Sequence, residues 1–334
     1  MTINQEYDFS SAKKAFSRIG LALLAFFAAT FLSQYIFAEI VDRFFPNLFA
    51  GGVTYLHKLI ISFVTMYLIG VPVFYLCIKG VDTFPADVGK IGLSSLVSAF
   101  IISMTLSYVG SMLGDGVSSV IYRATDVMPI TETLELISGI SWEWALVFVA
   151  IIGPFFEELI FRKLIIDRTR GFGEKLSMIF SAILFALYHI SVQQFFYAFF
   201  IGMLYGYIYL RTGKMIYSYV LHAAFNLFGS VIPLMLNEIV DYTKLLTAKS
   251  SEEMYKMVEE NMLGYSIVSL YSLATIVMAF AGVGLLLKKI RTMRFETALF
   301  QLPKDSEATT AFVNVGVMLY ITFVICYFVF TQFM

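Results

Sequence analysis

Long apolar runs separated by short polar intervals dominate the chain, and the length of each run matches the roughly 20 residues a helix needs to cross a bilayer. Runs at about 17–37, 59–78, 94–113, 142–165, 176–190, 193–210, 215–236, 262–287 and 311–333 predict a transmembrane helix each. The first follows Lys13, Lys14 and Arg18, is longer than the apolar core of a cleaved leader, and continues into Gln34-Tyr35-Ile36-Phe37, so it predicts an uncleaved span. The fold class expected is therefore all-α, a multi-pass transmembrane bundle of about eight to nine helices with its active site among the central spans. Three regions are expected within one membrane unit: 1–141 with three spans, 142–236 as a four-span catalytic core, and 237–334 as an outer loop with the last two spans.

Composition agrees with the pattern. Of 334 residues, 59% are hydrophobic and 14% charged, against about 25% charged in a soluble domain. With the amino terminus in the cytoplasm, most of the 23 Lys and Arg fall on the inner side, as the positive-inside rule requires. Trp142 and Trp144 flank the start of the fourth run as interfacial anchors. The expected location is thus an integral, multi-pass protein, the overall make-up being that of a bacterial cell membrane protein. Its expected partners are the lipid bilayer and a membrane protein or peptide substrate. Net charge of −1 and the lack of a basic tract give no reason to expect nucleic acid. Cys77 and Cys326 lie in apolar spans and read as packing residues.

Two outer intervals are substantial. The 114–141 interval carries Pro129 and two short helical patterns, and 237–261 contains Ser250-x-x-Glu253, a capping-box signature before a short helix. Both read as surface helices. His57, beside Lys58, reads as an ordinary loop residue. In the sixth run Ala198, Gly202 and Gly206 form a small-residue stripe, expected to serve packing inside the bundle rather than dimerisation.

Only a few ionisable groups sit well inside an apolar run: Glu157, Glu158, Arg162, His189 and His222. Charge in hydrocarbon costs about 2.5–3.5 kcal/mol even on the lenient insertion scale, so it persists where it is paired or used. Glu158 and Arg162 are four apart and stack on one helix face as an ion pair, leaving Glu157 turned about 100° away. Gly153-Pro154, one turn earlier, interrupts the helical hydrogen bonds. His189 shares a face with Phe185, and His222 with Asn226. The set supplies a base in Glu157, a water-orienting imidazole, and donors for a developing oxyanion, an inventory for hydrolysis of an amide. One Glu and two His, here Glu157, His189 and His222, could equally ligate zinc with an open position for water. At about 1.5 Å per residue, Glu157 lies about 12 Å, His222 about 10 Å and His189 about 20 Å from the inner ends of these runs. The fifth span is therefore expected to tilt or to begin deeper.

The ordered trio Glu157-Glu158-x-x-x-Arg162, Phe185-x-x-x-His189 and His222-x-x-x-Asn226 resembles the CPBP family. That family comprises CAAX prenyl protease type 2 (Rce1-like) enzymes and their bacterial relatives, including bacteriocin self-immunity proteins. The resemblance covers roughly 142–236 and implies an intramembrane endopeptidase. It implies that Glu157 with His189 activates water, that His222 and Asn226 stabilise the oxyanion, and that Glu158, Arg162 and Phe185 support the site. The family is labelled metalloprotease, which carries zinc as the implied cofactor beside a metal-independent glutamate mechanism. His-Glu-x-x-His is missing, and Gly114-Asp115-Gly116 lacks the intramembrane aspartyl pattern. A non-enzymatic immunity or scaffold protein is the second reading, and a proton-coupled transporter the third.

Overall fold

A computed structural model describes residues 9–45, 48, 52–129, 139–240 and 250–333. The chain is a bundle of helices: α1 (Phe9–Phe44), α2 (Tyr55–Ile78), α3 (Leu93–Thr125), α4 (Trp142–Phe172), α5 (Glu174–Tyr188), α6 (Val192–Thr212), α7 (Met215–Ile239), α8 (Ser251–Glu260), α9 (Met262–Thr292), α10 (Glu307–Phe312) and α11 (Val315–Phe333). Among the described residues seven of these are long and apolar enough to cross a membrane. The nine predicted spans thus become seven, with α5 and α6 the difference. At 15 residues, α5 is short for a span. Gln193, Gln194 and four tyrosines interrupt the apolar character of α6, which is packed by other helices and needs no lipid-matching surface.

The centre is α6, packed against α3, α5 and α7, with α4 closing the other side of α5. The small-residue stripe works inside the bundle: a Cβ added at Gly202 would come 3.2 Å from Ala182 Cα, and one at Gly206 3.3 Å from Met178 Cγ, both on α5. On the second flank α1, α2, α4, α5 and α11 share an aromatic core built on Phe16, Phe26, Phe27, Phe74, Phe161, Phe180, Tyr188 and Tyr320.

Two predicted boundaries move. The third helix runs on through Thr125, where Asp126 in the left-handed region (φ 58°) ends it; the expected first short helix of the 114–141 loop is its continuation, and 130–138 lie outside the described residues. The fourth helix runs to Phe172 rather than 165, because its late charges are all partnered. Lys163 pairs with Asp167 at 2.8 Å, Tyr209 donates to Asp167 at 2.8 Å, and Arg168 donates to the Ile78 carbonyl at 3.1 Å. The extension resolves the depth mismatch of His189. Gly173, at φ 127°, turns α4 into α5, and Glu157 and His189 lie the same number of residues from it, about 24 Å along antiparallel neighbours.

Small caps follow the sequence. Ser250 accepts the Glu253 N–H at 3.2 Å to start α8; 241–249 lie outside the described residues. His57 is more than a loop residue: its Nδ1 accepts the Thr54 N–H at 3.2 Å and its own N–H goes back to Thr54, capping α2. Cys77 and Cys326 are free thiols.

Three helices widen at prolines. In α2, α4 and α7 the stretches Val64–Gly70, Leu146–Ile152 and Leu227–Val231 take π-helical hydrogen bonds, and each ends at Val71-Pro72, Gly153-Pro154 or Ile232-Pro233. Gly153 N–H reaches Phe148, five residues back, so the next bond would run from residue 154 to the Val149 carbonyl. Proline has no N–H to give, and that carbonyl must find a donor elsewhere. Asn226 Nδ2 supplies it at 2.9 Å. The Tyr271 hydroxyl does the same for the Phe228 carbonyl that Pro233 leaves open.

Candidate active site

The cluster forms where α4, α5 and α7 meet. Glu158 and Arg162 are both fully buried, with Arg162 Nε 3.1 Å from Glu158 Oε2. That contact is Coulombic rather than an aligned hydrogen bond. Alignment comes from elsewhere: Arg162 Nη1 donates to Ser181 Oγ at 3.3 Å, Ser181 donates to the Phe161 carbonyl at 2.6 Å, and the guanidinium lies 4.9 Å over the Phe185 ring. The ion pair expected from the four-residue spacing is present, and Ser181 and the Phe185 face are the additions that the spacing could not show.

His222 bridges the two glutamates. Its Nδ1 lies 3.0 Å from Glu158 Oε1 and its Nε2 3.5 Å from Glu157 Oε2. Glu158, already committed to Arg162 as an acceptor, takes the Nδ1–H, which fixes the ring and turns Nε2 to Glu157. This is the arrangement by which a buried carboxylate orients a catalytic imidazole in a triad. The Glu157 side chain retains 15% of its exposure, while that of Glu158 retains none. Adjacent in sequence, the two carboxylates are split by the helix turn into a sealed one and a reachable one.

His189 ends α5 as its C-cap. Its Nδ1 lies 2.9 Å from the Phe185 carbonyl; a carbonyl only accepts, so Nδ1 carries the hydrogen and Nε2 presents a lone pair. Ile190 follows at φ 49°, a left-handed conformation rare for a β-branched residue, and Ser191 at once caps α6 through the Gln194 N–H at 3.2 Å. His189 is within electrostatic reach of Glu157 and His222, and Phe185 stands edge-on between the imidazoles, 4.8 Å from His189 and 5.8 Å from His222. The Glu157 carboxylate thus lies 3.5 Å from His222, while the resemblance pairs it with His189 through an activated water. Asn226, one turn beyond His222, spends one amide hydrogen on Val149 and keeps the second uncommitted.

The zinc set expected from sequence, Glu157, His189 and His222, is not assembled as a metal cage. Both His222 nitrogens face carboxylates, and among the described residues no group of three or more His, Cys, Asp or Glu is arranged to hold a metal ion.

Sequence reading missed a second set of buried charges at the end of the bundle where α4 turns into α5. Glu174, 2% exposed, pairs with Arg170 at 3.3 Å and with Arg211, and accepts the Glu296 N–H at 2.8 Å. The polar flanks of the runs hid it, since Arg170, Arg211 and Glu296 read as loop charges. It fastens the segment after α9 to α5 and α6, away from the cluster.

No curated protein and no solved structure is detectably similar to the chain. One family model matches, described as type II CAAX prenyl endopeptidase Rce1-like, over residues 139–228. The matched stretch contains Glu157, Glu158, Arg162, Phe185, His189, His222 and Asn226. Over residues 139–228 this multi-pass helical membrane protein is thus similar to the Rce1-like family, whose description is that of an endopeptidase.

Proposed function

We propose that the protein is an intramembrane endopeptidase that hydrolyses a peptide bond of a membrane-associated substrate, with Glu157 as general base. The observation that carries this reading is the split pair: Glu158 sealed against Arg162, and Glu157 reachable, with His222 fixed between them. Glu157 takes a proton from water, and the hydroxide adds to the peptide carbonyl carbon. The uncommitted Asn226 N–H, and His222 once its Nε2 also carries a proton, meet the developing oxyanion. The C–N bond breaks as the proton passes from Glu157 to the leaving amine, which restores the base. The His189 Nε2 lone pair orients the water from the other side.

A membrane route to the site is supported by an apolar cleft of about 150 Å³ beside His189, lined by Leu187, Ile190, Phe195 and Val324. We assign the amino terminus to the cytoplasm from the charge bias, in a bacterial membrane. The natural substrate is a membrane-tethered peptide or protein.

Purified protein in lipid, given a panel of membrane-tethered peptides with and without chelator, tests the reading. Wild-type cleavage that survives chelation and disappears in Glu157→Gln supports it. Cleavage lost to chelator and restored by zinc would replace the metal-free step with a metal-bound one. Equal cleavage by Glu157→Gln and wild type would overturn the role of Glu157, and no cleavage of any peptide would favour the immunity or scaffold alternative.

A further inference from the structure

Two buried phenols that no part of the hydrolytic scheme uses stand beside Glu157. Tyr67, on the π-helical stretch of α2, is 5% exposed, and its ring stacks on Phe156, the residue before Glu157, at 4.4 Å and 9°. Its hydroxyl lies 3.6 Å from the position a Cβ would occupy on Gly153, one turn before Glu157. Tyr188, the last residue of α5, is 7% exposed and meets Phe161, one turn after Glu157, edge-on at 5.4 Å. The two rings therefore bracket Glu157 along α4 from above and below. Tyr188 Oη is buried with no well-aligned hydrogen bond, and the Tyr67 hydroxyl is close enough to interact with it. Both phenols are within electrostatic reach of the Glu157 carboxylate and of each other.

The geometry points to Tyr67 and Tyr188 as positioning residues that donate their O–H groups to Glu157, directly or through the water it activates. The inference deepens the hydrolytic reading and rests on it for its catalytic meaning, but the contact with Glu157 is separately measurable. Glu157 carries the only Oε pair on the face of α4 that these rings cover, since Glu158 is turned toward Arg162 and His222. A phenol is a suitable donor there: it brings an apolar body that packs in the aromatic core and one polar atom at its tip.

The test is infrared difference spectroscopy on the full-length protein in lipid. The band lost in Glu157→Gln identifies the Glu157 carboxyl. Tyr67→Phe and Tyr188→Phe are each expected to shift that band, with Tyr320→Phe as the control that leaves it in place, because its hydroxyl faces the Leu184 carbonyl at 3.4 Å. A fluorotyrosine at 188 keeps the ring and strengthens the donor, and it is expected to move the band the opposite way, which keeps the test alive if either phenylalanine variant unfolds. On a peptide that wild type cleaves, the two phenylalanine variants are expected to lower kcat roughly ten- to a hundredfold with KM unchanged, the size of one hydrogen bond to a charged group. A band that stays put in both variants overturns the inference, as does an unchanged kcat. A band that shifts while wild type cleaves no peptide leaves the phenol contact standing and removes the protease reading instead.

Discussion

The two sides of this site are built on opposite principles. On the sealed side Glu158, Arg162, Ser181 and His222 are buried, and each charge meets its counterpart or a hydroxyl. On the reachable side Glu157, His189 and Asn226 keep partial exposure and leave chemical capacity unspent: a carboxylate, an imidazole lone pair and an amide hydrogen. The same Glu-Glu dipeptide feeds both sides, and a single 100° helix step separates a structural carboxylate from a reactive one. The difference teaches that burial against an opposite charge fixes geometry, whereas reactivity requires a group held by the first set yet not satisfied by it.

The comparison is broken most severely by changes that cross it. Glu157→Gln on the reachable side is expected to reduce cleavage about 10²- to 10⁴-fold with little change in thermal stability, measured by peptide cleavage and a melting curve on one preparation. On the sealed side Arg162→Leu should act the other way round, through stability first. It strands Glu158 in a fully buried position, which costs about 3–5 kcal/mol. The double variant Glu158→Met/Arg162→Leu removes both charges and should recover much of that loss without recovering activity, since His222 then has no anchor. A single variant as stable as wild type would show that the sealed side contributes no electrostatic hold.

A third expectation sharpens the line between the sides at Asn226. Asn226→Leu leaves the Val149 carbonyl without the donor that Pro154 made necessary, at about 1–3 kcal/mol. Tyr271→Phe performs the same deletion on the Phe228 carbonyl. Equal stability losses are expected, with cleavage falling only in the Asn226 variant. Equal cleavage in both would return Asn226 to a purely structural helix staple.

Much of the site was legible in the sequence because its residues violate the rule of the medium. Glu157, Glu158, Arg162, His189 and His222 stand out against apolar runs, and the four-residue spacing carries the Glu158–Arg162 pair directly into the structure. What could not be read is what tertiary contact decides. The partner of Glu157 depends on how α7 crosses α4, so His222 rather than His189 is its near neighbour. Tyr67 and Tyr188 are two aromatics among many, with nothing local to set them apart from core filler. The span count differs only at α5 and α6, since α5 is short and α6 is wrapped by protein and carries polar residues, whereas α9, the least buried of the spans, was placed to within five residues at its C-terminal end. The Asp167 and Arg168 charges read as a helix end because their partners, Tyr209 and the Ile78 carbonyl, lie on other helices.

The smallest effect is expected at Ile190, where the reachable side holds its one left-handed β-branched residue. Holding an L-residue in that region costs roughly 1–2 kcal/mol, which glycine would not incur. Against that gain, glycine loses about 0.5–1 kcal/mol more backbone freedom on folding, and the half-buried isoleucine side chain gives up its packing beside Leu187 and Phe195. These contributions oppose one another, so Ile190→Gly should leave the melting temperature nearly unchanged. The same replacement at Leu187, within the regular helix, gains nothing from the backbone and should be clearly destabilising. Cleavage separates the two halves of the argument. If the tight turn serves to hold His189 against the Phe185 carbonyl, a flexible residue 190 lets the imidazole drift, and activity falls at constant stability. An Ile190→Gly enzyme that melts far below wild type would show that the turn is held by the isoleucine side chain rather than imposed on it by the site.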